Sequence, residues 1–406
     1  MHLNVVFAAP FPTDITMRFV RAAARLKGVR LLGLVHTPPA GEDAKIYDDL
    51  VRVTEPLSVK DIIEGCEVLR RRHGRIDRII GMLEALMVQL GQARAHFSLP
   101  GTSAEVAELF RDKAKMKVAL AEAGLPVARN ALVTTERQAL EFAEQVSYPL
   151  IFKPPAGMGA RSTFRIQGPD DLLRIFRGLG TSDNKPALLE EFLRGREFSF
   201  ETITTEGQPR VHSISHYLPP CLHALENPWI KWCCLLPRDI SGKEYDDIRK
   251  IGFAAIQALG LREGMTHMEW FRRDDGSIAI GEIAQRPAGA NISVMTGFAH
   301  DTDLYHAWCE SVIFGSFSGP WSRKFAVGSA FLRGTGHGRV AALSGIAATQ
   351  EAVGRYVVEA KLPEIGQRKA DGYEGEGYII VRDPSTQIVQ RCLNKIIETV
   401  HVTYSE

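Results

Sequence analysis

The amino-acid sequence predicts a mixed fold, in which a doubly wound α/β unit precedes α+β units. The first observation is a strand–loop–helix–strand order, with apolar runs at residues 3–9 and 29–35 and helical spacing at 16–26. Strands joined through a helix pair in parallel, so this order predicts a Rossmann-like sheet. The second is the alternation of strands and helices over residues 127–193. The third is a pair of strands within residues 266–284, joined by an Asp-Asp-Gly turn typical of a hairpin.

The length of the chain requires more than one hydrophobic core. At 406 residues, with 45% hydrophobic and 24% charged residues, it is expected to form two or three globular domains. No Gly-x-Gly-x-x-Gly motif follows the first strand, so a dinucleotide site is not expected there. We predict an N-terminal Rossmann-like domain over residues 1–100, a central domain over 101–318 with a small subdomain over 126–196, and a C-terminal α+β lobe over 319–406.

Composition argues against several classes of partner and location. The net charge is +1, from 49 basic and 48 acidic residues, which argues against nucleic acid or an anionic membrane as a partner. The six cysteines show no Cys-x-x-Cys spacing and are expected to be reduced, buried thiols. The first ten residues carry no basic leader, and no apolar run is long enough to span a membrane. We therefore expect a cytoplasmic protein.

A lysine at the end of a predicted strand is the first candidate for chemistry. The apolar residues 150–152 lead into Lys153, and a turn rich in proline and glycine follows, with Gly157 and Gly159. A buried ammonium needs an anionic partner, and glycines let backbone N–H groups approach phosphate oxygens. This pattern favours a phosphate site. Taken alone, it leaves open a surface lysine beside a flexible turn.

Two glutamates on the predicted hairpin are the second candidate. Glu269 and Glu282 can face the same side of adjacent strands. Paired carboxylates repel unless a proton or cation lies between them, and their hard oxygens suit Mg²⁺. Arg286 follows closely and is either their salt-bridge partner or an anion binder. A structural ion-pair network at a sheet edge is the open alternative.

Several stretches, in their order and spacing, together resemble the ATP-grasp superfamily over roughly residues 1–400. The resemblance is to its carboxylate–amine ligase branch, with an architecture like that of L-amino acid ligases and biotin carboxylase. No Walker A pattern is present, so the nucleotide site is not a P-loop. The stretches that carry the resemblance are Asp112-Lys113, Ala123-Gly124-Leu125-Pro126-Val127, Tyr148-Pro149-Leu150-Ile151-Phe152-Lys153-Pro154, Gly157-x-Gly159, Glu190-Glu191-Phe192-Leu193, Gly195-Arg196-Glu197-Phe198-Ser199, and Glu269 followed by Glu282-Ile283-Ala284-Gln285-Arg286-Pro287.

The resemblance implies an ATP-grasp fold that follows an N-terminal pre-ATP-grasp domain and holds ATP between two α+β units. It also implies a role for each matching position. The residues implied to bind ATP are Lys113 and Lys153 at the α- and β-phosphates, Gly157, Met158, Gly159 and Ser162 in a loop closing over the γ-phosphate, Glu190 with the backbone of Glu191, Phe192 and Leu193 at adenine, and Glu197 at the ribose. Glu269 and Glu282 would bind Mg²⁺, with Mn²⁺ as an alternative, while Arg286 and Lys153 would be catalytic.

The reaction implied by the resemblance is ATP-dependent ligation. A carboxylate would attack the γ-phosphate to give an acyl phosphate and ADP, and an amine would then displace phosphate to form an amide or peptide bond. The partners would be a small carboxylic acid and an amine, and a homodimer is left open. Two rival functions are a bicarbonate-activating carboxylase and a nucleotide-binding regulatory module without turnover.

Two regions depart from the family pattern or leave roles open. Ala284 stands where many relatives carry an asparagine metal ligand, and Asn291 is the candidate replacement. Residues 212–238 are rich in proline, tryptophan and cysteine and are predicted to be an irregular functional loop. In that loop we expect the substrate-pocket walls Trp229 and Trp232, and the candidate bases for the amine, which are His216, Tyr217 and Glu226.

Overall fold

The computed structural model describes residues 2–157 and 163–405, and it begins with a parallel sheet. The sheet has the order β3-β2-β1-β4. Side chains of β1 alternate between two cores, Val5 and Phe7 facing α1, and Val6 and Ala8 facing α2 and α3. Helices therefore cover both faces, which confirms the predicted doubly wound unit. Its elements are β1 (Leu3–Ala8), α1 (Asp14–Ala24), β2 (Val29–Val35), β3 (Asp49–Arg52), α2 (Val59–His73), β4 (Arg78–Gly81) and α3 (Met87–His96).

Two short helices, α4 (Ala104–Arg111) and α5 (Lys113–Glu122), lead out of this unit. Ser103 caps α4, because its hydroxyl accepts the N–H of Val106. Asp112 has extended backbone angles and caps α5, because its side chain accepts the N–H groups of the residues two and three positions after it. This break makes Lys113 the first residue of α5.

A small antiparallel sheet follows, with the order β5-β8-β6-β7. Its two helices share one apolar core with the sheet. The predicted alternation of strands and helices is present, and the first helix starts with a reciprocal pair of hydrogen bonds between Thr135 and Gln138. The elements are β5 (Asn130–Val133), α6 (Glu136–Val146), β6 (Leu150–Lys153), β7 (Phe164–Ile166), α7 (Pro169–Gly178) and β8 (Ala187–Glu191).

The largest sheet has eight strands in the order β13-β12-β9-β10-β11-β14-β17-β16. Strands β12 and β13 form the predicted hairpin, and the last three strands in this order come from the part of the chain after residue 319. Those C-terminal strands continue the same sheet; the boundary at residue 319 stays a prediction. The strands are β9 (Gly195–Thr205), β10 (Gln208–Leu218), β11 (Cys233–Leu236), β12 (Gly264–Arg273), β13 (Ile278–Ala284), β14 (Ala326–Leu332), β16 (Val357–Lys361) and β17 (Gly377–Asp383).

Helices and one small ribbon complete this part of the chain. Strands β15 (Arg339–Ser344) and β18 (His401–Ser405) pair with each other in an antiparallel ribbon. Helix α11 (Leu304–Phe314) packs against α1, so the large sheet and the N-terminal sheet share one core. The remaining helices are α8 (Cys221–Glu226), α9 (Asp246–Ala258), α10 (Ile292–His300), α12 (Ile346–Val353) and α13 (Thr386–Thr399).

The prediction of an irregular loop over residues 212–238 is wrong. Strand β10 continues to Leu218, helix α8 follows, and β11 returns to the sheet. The polar residues Ser213 and Ser215 hid the strand, because both are buried inside the sheet although their type suggests exposure.

Two expectations drawn from composition can be compared with the structure. All six cysteines are buried and unpaired, as expected for reduced thiols. Across residues 2–157 and 163–405, no helix combines the length and the apolar character needed to cross a membrane.

Candidate active site

A cavity of about 470 Å³ lies between the small sheet and the large sheet. Strands β6 and β8 line it from one side and β9, β12 and β13 from the other, with α8 also contributing. Met158, Gly159 and Ser162 lie outside the residues that the structure describes. The predicted site residues within the described range all line this cavity: Lys113, Lys153, Gly157, Glu190, Glu191, Phe192, Leu193, Glu197, Glu269, Glu282 and Arg286.

Lys153 is buried at the end of β6 and pairs with Glu190 on the neighbouring strand β8. Its Nζ lies 3.0 Å from Oε2 of Glu190. Burial alone would lower the pKa of Lys153, but Glu190 and Glu282 outweigh burial and hold that pKa above its usual value. The residue therefore keeps a positive charge in the cavity, as a phosphate-binding lysine must.

A second buried lysine, Lys117, was not identified from the sequence. Its Nζ lies 3.2 Å from Oε1 of Glu190 and donates to the carbonyl of Gly281 at 2.8 Å. Both oxygens of Glu190 thus face ammonium groups, so the predicted contact of this side chain with adenine would compete with two ion pairs. The four-residue spacing of Lys113 and Lys117 on one face of α5 is the signal that could have found it.

Lys113 connects the glycine turn with the carboxylate pair. Its Nζ donates to the carbonyl of Gly157 at 3.0 Å and lies 3.0 Å from Oε1 of Glu282. Because Asp112 caps α5 just before it, the backbone of Lys113 is fixed by the helix start. Both predicted lysines thus reach the cavity, and their assignment to particular phosphates stays a prediction.

Glu269 and Glu282 lie directly opposite each other on β12 and β13, as the sequence predicted. The register shifts directly after this pair, because Gly281 of β13 has no partner on β12, and both glutamate side chains line the cavity. Nε2 of His267 is 3.7 Å from Glu269. Burial would raise the pKa of Glu269, but contact with His267 and the charges of Arg286 and Lys153 lower it to about 2. Glu269 is therefore ionised, the state in which a carboxylate binds a cation.

These two carboxylates fit a hard divalent cation that takes its other ligands from phosphate and water. Within the described ranges, no cluster of three histidine, cysteine, aspartate or glutamate side chains forms an all-protein metal cage. Mg²⁺ is commonly held by only one or two carboxylates together with substrate phosphates, so a pair suffices. Asn291 donates its amide to Ser329 Oγ at 3.2 Å and gives no support to its predicted role as a ligand.

Arg286 pairs with a carboxylate from the N-terminal unit. Its Nε donates to Oε2 of Glu84 at 2.9 Å, and Glu84 also accepts a hydrogen bond from Arg111 at 3.0 Å. Of the two roles left open for Arg286, a salt bridge to Glu269 and Glu282 is not the one observed, because the carboxylate paired with Arg286 is that of Glu84. The role of Arg286 as an anion binder stays a prediction. Glu84 lies just after β4, at the carboxyl edge of the parallel sheet, where polar side chains commonly meet ligands. With its Nε thus fixed, Arg286 lines the cavity in a defined position.

The remaining predicted nucleotide contacts lie along β8 and β9. The carboxylate of Glu191 is bound by Arg129 at 3.1 Å and Arg273 at 2.6 Å, so its backbone is the part left for a ligand. Glu197 is buried and accepts the N–H of Cys221, at the start of α8, at 2.8 Å. Burial and the neighbouring charge of Glu269 raise the pKa of Glu197 to about 8. Its predicted contact with ribose stays a prediction.

The sequence of this region matches a known domain family. Residues 146–294, which contain most of the cavity residues described above, match the ATP-grasp domain. The chain contains an ATP-grasp domain. Over 254 residues it is 30% identical to the L-arginine-specific L-amino acid ligase of Bacillus subtilis. The aligned region covers 61% of this chain and 60% of that protein. The match therefore leaves about two fifths of that relative uncovered.

Solved structures resemble the whole chain rather than the domain alone. The L-amino acid ligase from Bacillus licheniformis superposes with a TM-score of 0.81 at 17% identity, covering 100% of this chain and 99% of that one. The biotin carboxylase domain of 2-oxoglutarate carboxylase from Hydrogenobacter thermophilus gives 0.70 at 15% identity, covering 99% and 91%. At these identities the likeness shows the fold, which confirms the predicted ATP-grasp architecture.

Of the three candidate bases, the ATP-grasp cavity contains one. Tyr217 lines it, with its hydroxyl 3.5 Å from Nε2 of His267. His216 alternates to the other face of β10 and bonds the hydroxyl of Tyr245 at 3.0 Å, so its prediction as a cavity base is wrong. Glu226 pairs with Arg165 at 2.9 Å.

The expectation that Trp229 and Trp232 wall the substrate pocket is wrong as well. Trp232 is fully buried beside Phe331 and donates to the carbonyl of Pro219 at 2.8 Å, while Trp229 is 64% exposed. Neither lines the ATP-grasp cavity. Trp232→Ala should therefore lower the free energy of unfolding by about 3–5 kcal/mol, because it empties a core site.

Chemical denaturation of the two tryptophan variants checks this result. Trp229→Ala is the matched control and should change the unfolding free energy by less than about 0.5 kcal/mol, since its side chain lies at the surface. Equal, small effects of the two substitutions would contradict the core assignment of Trp232.

Proposed function

We propose that this chain is an ATP- and Mg²⁺-dependent carboxylate–amine ligase that forms an amide or peptide bond. One observation carries the proposal: a single cavity contains the lysine side chains beside the glycine turn, the carboxylate pair of Glu269 and Glu282, and Arg286. The lysines and the carboxylate pair with its cation suit the phosphates of ATP. Arg286 supplies a separate positive charge for a second anion, the substrate acid. The named activity of the Bacillus subtilis relative and the MgADP named in the biotin carboxylase structure support this assignment.

The first step is the activation of an acid. A carboxylate oxygen attacks the γ-phosphorus, the bond from that phosphorus to the bridging oxygen breaks, and ADP leaves with the electron pair. Lys113 and Lys153 neutralise phosphate charge, and Arg286 holds the acid and then the acyl phosphate. Glu269 and Glu282 would hold Mg²⁺, which supplies further neutralisation of phosphate charge.

The second step forms the new carbon–nitrogen bond. The lone pair of an amine attacks the acyl carbon, the carbon–oxygen bond to phosphate breaks, and inorganic phosphate departs while the amine loses a proton. Tyr217 lies in the cavity, but burial raises the pKa of its hydroxyl well above the usual value. This residue is therefore suited to donate a hydrogen bond rather than to accept the proton.

Trapping the acyl phosphate tests the reaction class. With ATP, Mg²⁺ and a suitable acid, hydroxylamine should intercept the intermediate as a hydroxamate, measured by its coloured iron complex. Because the Bacillus subtilis relative is an amino acid ligase named for L-arginine, a panel of L-amino acids that includes L-arginine is the first choice. Reactions without ATP, and without acid, are the controls.

The outcomes of this test separate the ligase from its two rivals. Hydroxamate that depends on both ATP and one class of acid supports the ligase. Release of ADP driven by bicarbonate alone, without hydroxamate across the panel, would assign a carboxylase instead. Binding of ATP without any ADP formation would assign a regulatory module.

A further inference from the structure

The loop that begins at Arg286 has a conformation that its own residues do not favour. Ala290 has φ = 51° and Asn291 has φ = 60°, two consecutive non-glycine residues in the left-handed region. Such residues persist only where the surroundings hold them, and they concentrate at functional sites. Gly289 and Ala290 line the active-site cavity together with Arg286. The loop thus joins the proposed acid-binding arginine to a strained turn in the same cavity wall.

Contacts from two separate parts of the chain hold this loop. At its start, Arg286 is fixed by Glu84 of the N-terminal unit at 2.9 Å. At its end, the N–H of Ala290 donates to Oε1 of Glu374 at 3.0 Å, and the amide of Asn291 donates to Ser329 at 3.2 Å. The contact with Glu374 is the one that acts directly on the strained backbone.

Glu374 belongs to the connection between β16 and β17, far along the chain from the loop that it contacts. Tyr373, the residue before it, lines the cavity beside the loop. The carbonyl of Tyr373 accepts a hydrogen bond from Arg333 at 3.4 Å, and Arg333 also donates to the carbonyl of Ala224 in α8 at 3.1 Å. Hydrogen bonds therefore link this connection both to the loop at Ala290 and, through Arg333, to α8.

We propose that Glu374 is a positioning residue that fixes the left-handed turn at Ala290 and thereby the acid-binding end of the active site. It acts through the backbone N–H of Ala290 and does not touch the reacting atoms. This role rests on the proposed function, because the acid is assigned to Arg286 at the start of the same loop. It requires an acceptor oxygen at position 374 and does not require a negative charge.

That requirement predicts different effects for two substitutions. Glu374→Gln keeps a carbonyl oxygen that can accept from Ala290, whereas Glu374→Ala removes the acceptor. In the hydroxamate assay, Glu374→Ala should raise the KM for the acid by about tenfold, as expected for one lost hydrogen bond, while ATP affinity stays within about twofold. Glu374→Gln should restore the KM to near the wild-type value. Glu364→Ala, at an exposed glutamate in the same connection, is the matched control.

Hydrogen exchange of the Ala290 amide, followed by NMR or by mass spectrometry of the peptide that contains it, tests the same proposal without turnover. Its protection should fall in Glu374→Ala and return in Glu374→Gln. Unchanged protection in Glu374→Ala would overturn the proposal, even if no acid supports the reaction. An equal loss of acid affinity in both variants, with protection kept in Glu374→Gln, would also overturn it, because the charge would then be recognising a ligand directly.

Discussion

Lys153→Ala is expected to weaken ATP binding at least about 100-fold, which corresponds to about 2.7 kcal/mol, and to abolish ADP formation. The ammonium of Lys153 is buried, charged and 3.0 Å from Glu190, at the end of the strand that leads into the glycine turn. Its loss removes a desolvated cation from the cavity and leaves the Glu190 carboxylate opposed by Lys117 alone. Isothermal titration calorimetry with ATP measures the effect.

Lys115→Ala provides the matched control for this substitution. Lys115 lies on the exposed side of α5 and pairs with Glu108 at 2.8 Å, so its removal should leave ATP affinity unchanged. Because Glu190 loses one of two ionic partners, we also expect Lys153→Ala to lower the unfolding free energy by about 1–3 kcal/mol. An ATP affinity equal to wild type, in a variant that remains folded by circular dichroism, would remove Lys153 from the nucleotide site.

The sequence predicts the local parts of the candidate site well. The hairpin of β12 and β13 is short, so the strand lengths and the tight turn place Glu269 opposite Glu282. Lys153 is recognised because an apolar strand ends at it and glycines follow. In both cases the decisive contacts lie within a few residues of each other or across one turn.

Contacts between distant parts of the chain are the ones that sequence reasoning missed. Glu84 meets Arg286 only because the N-terminal sheet packs near the end of β13, across a separation of 202 residues. Glu190 meets two lysines because β8 pairs with β6 and α5 packs beside them. No local periodicity encodes these approaches, since they depend on how the sheets pack.

Helix α11 and strand β10 were not predicted from the sequence, because one is apolar on most sides and the other carries buried polar residues. Helix α11 is apolar on most of its surface, because it lies between the N-terminal sheet and the large sheet. It therefore shows no amphipathic stripe, which is the usual signal for a helix. Strand β10 carries buried serines, and buried polar residues break the alternation that marks a strand.

Glu282→Gln is expected to lower the rate of ADP formation at least about 100-fold, because it removes one of two carboxylates that would hold Mg²⁺ against the phosphates. In the metal-free protein the same substitution should change the unfolding free energy by less than about 1 kcal/mol. Two effects oppose each other there: Lys113, 3.0 Å away, loses an ionic partner, and Glu269 loses a neighbouring like charge. Coupled measurement of ADP release and thermal unfolding with and without Mg²⁺ and ADP provides both readouts.

The increase in melting temperature on adding Mg²⁺ with ADP decides between a metal ligand and a structural ion pair. A ligand present at a free concentration of 100 times its Kd stabilises the wild-type protein by about 2.7 kcal/mol. This gain in stability should largely disappear in Glu282→Gln. The control is Glu263→Gln, at a residue just before β12 and outside the ATP-grasp cavity, and this variant should keep the gain in stability on adding Mg²⁺ with ADP. If Glu282 served only to neutralise Lys113, the metal-free variant would unfold at a lower temperature while ADP formation persisted, and the assignment of Glu269 and Glu282 to a cation would be wrong.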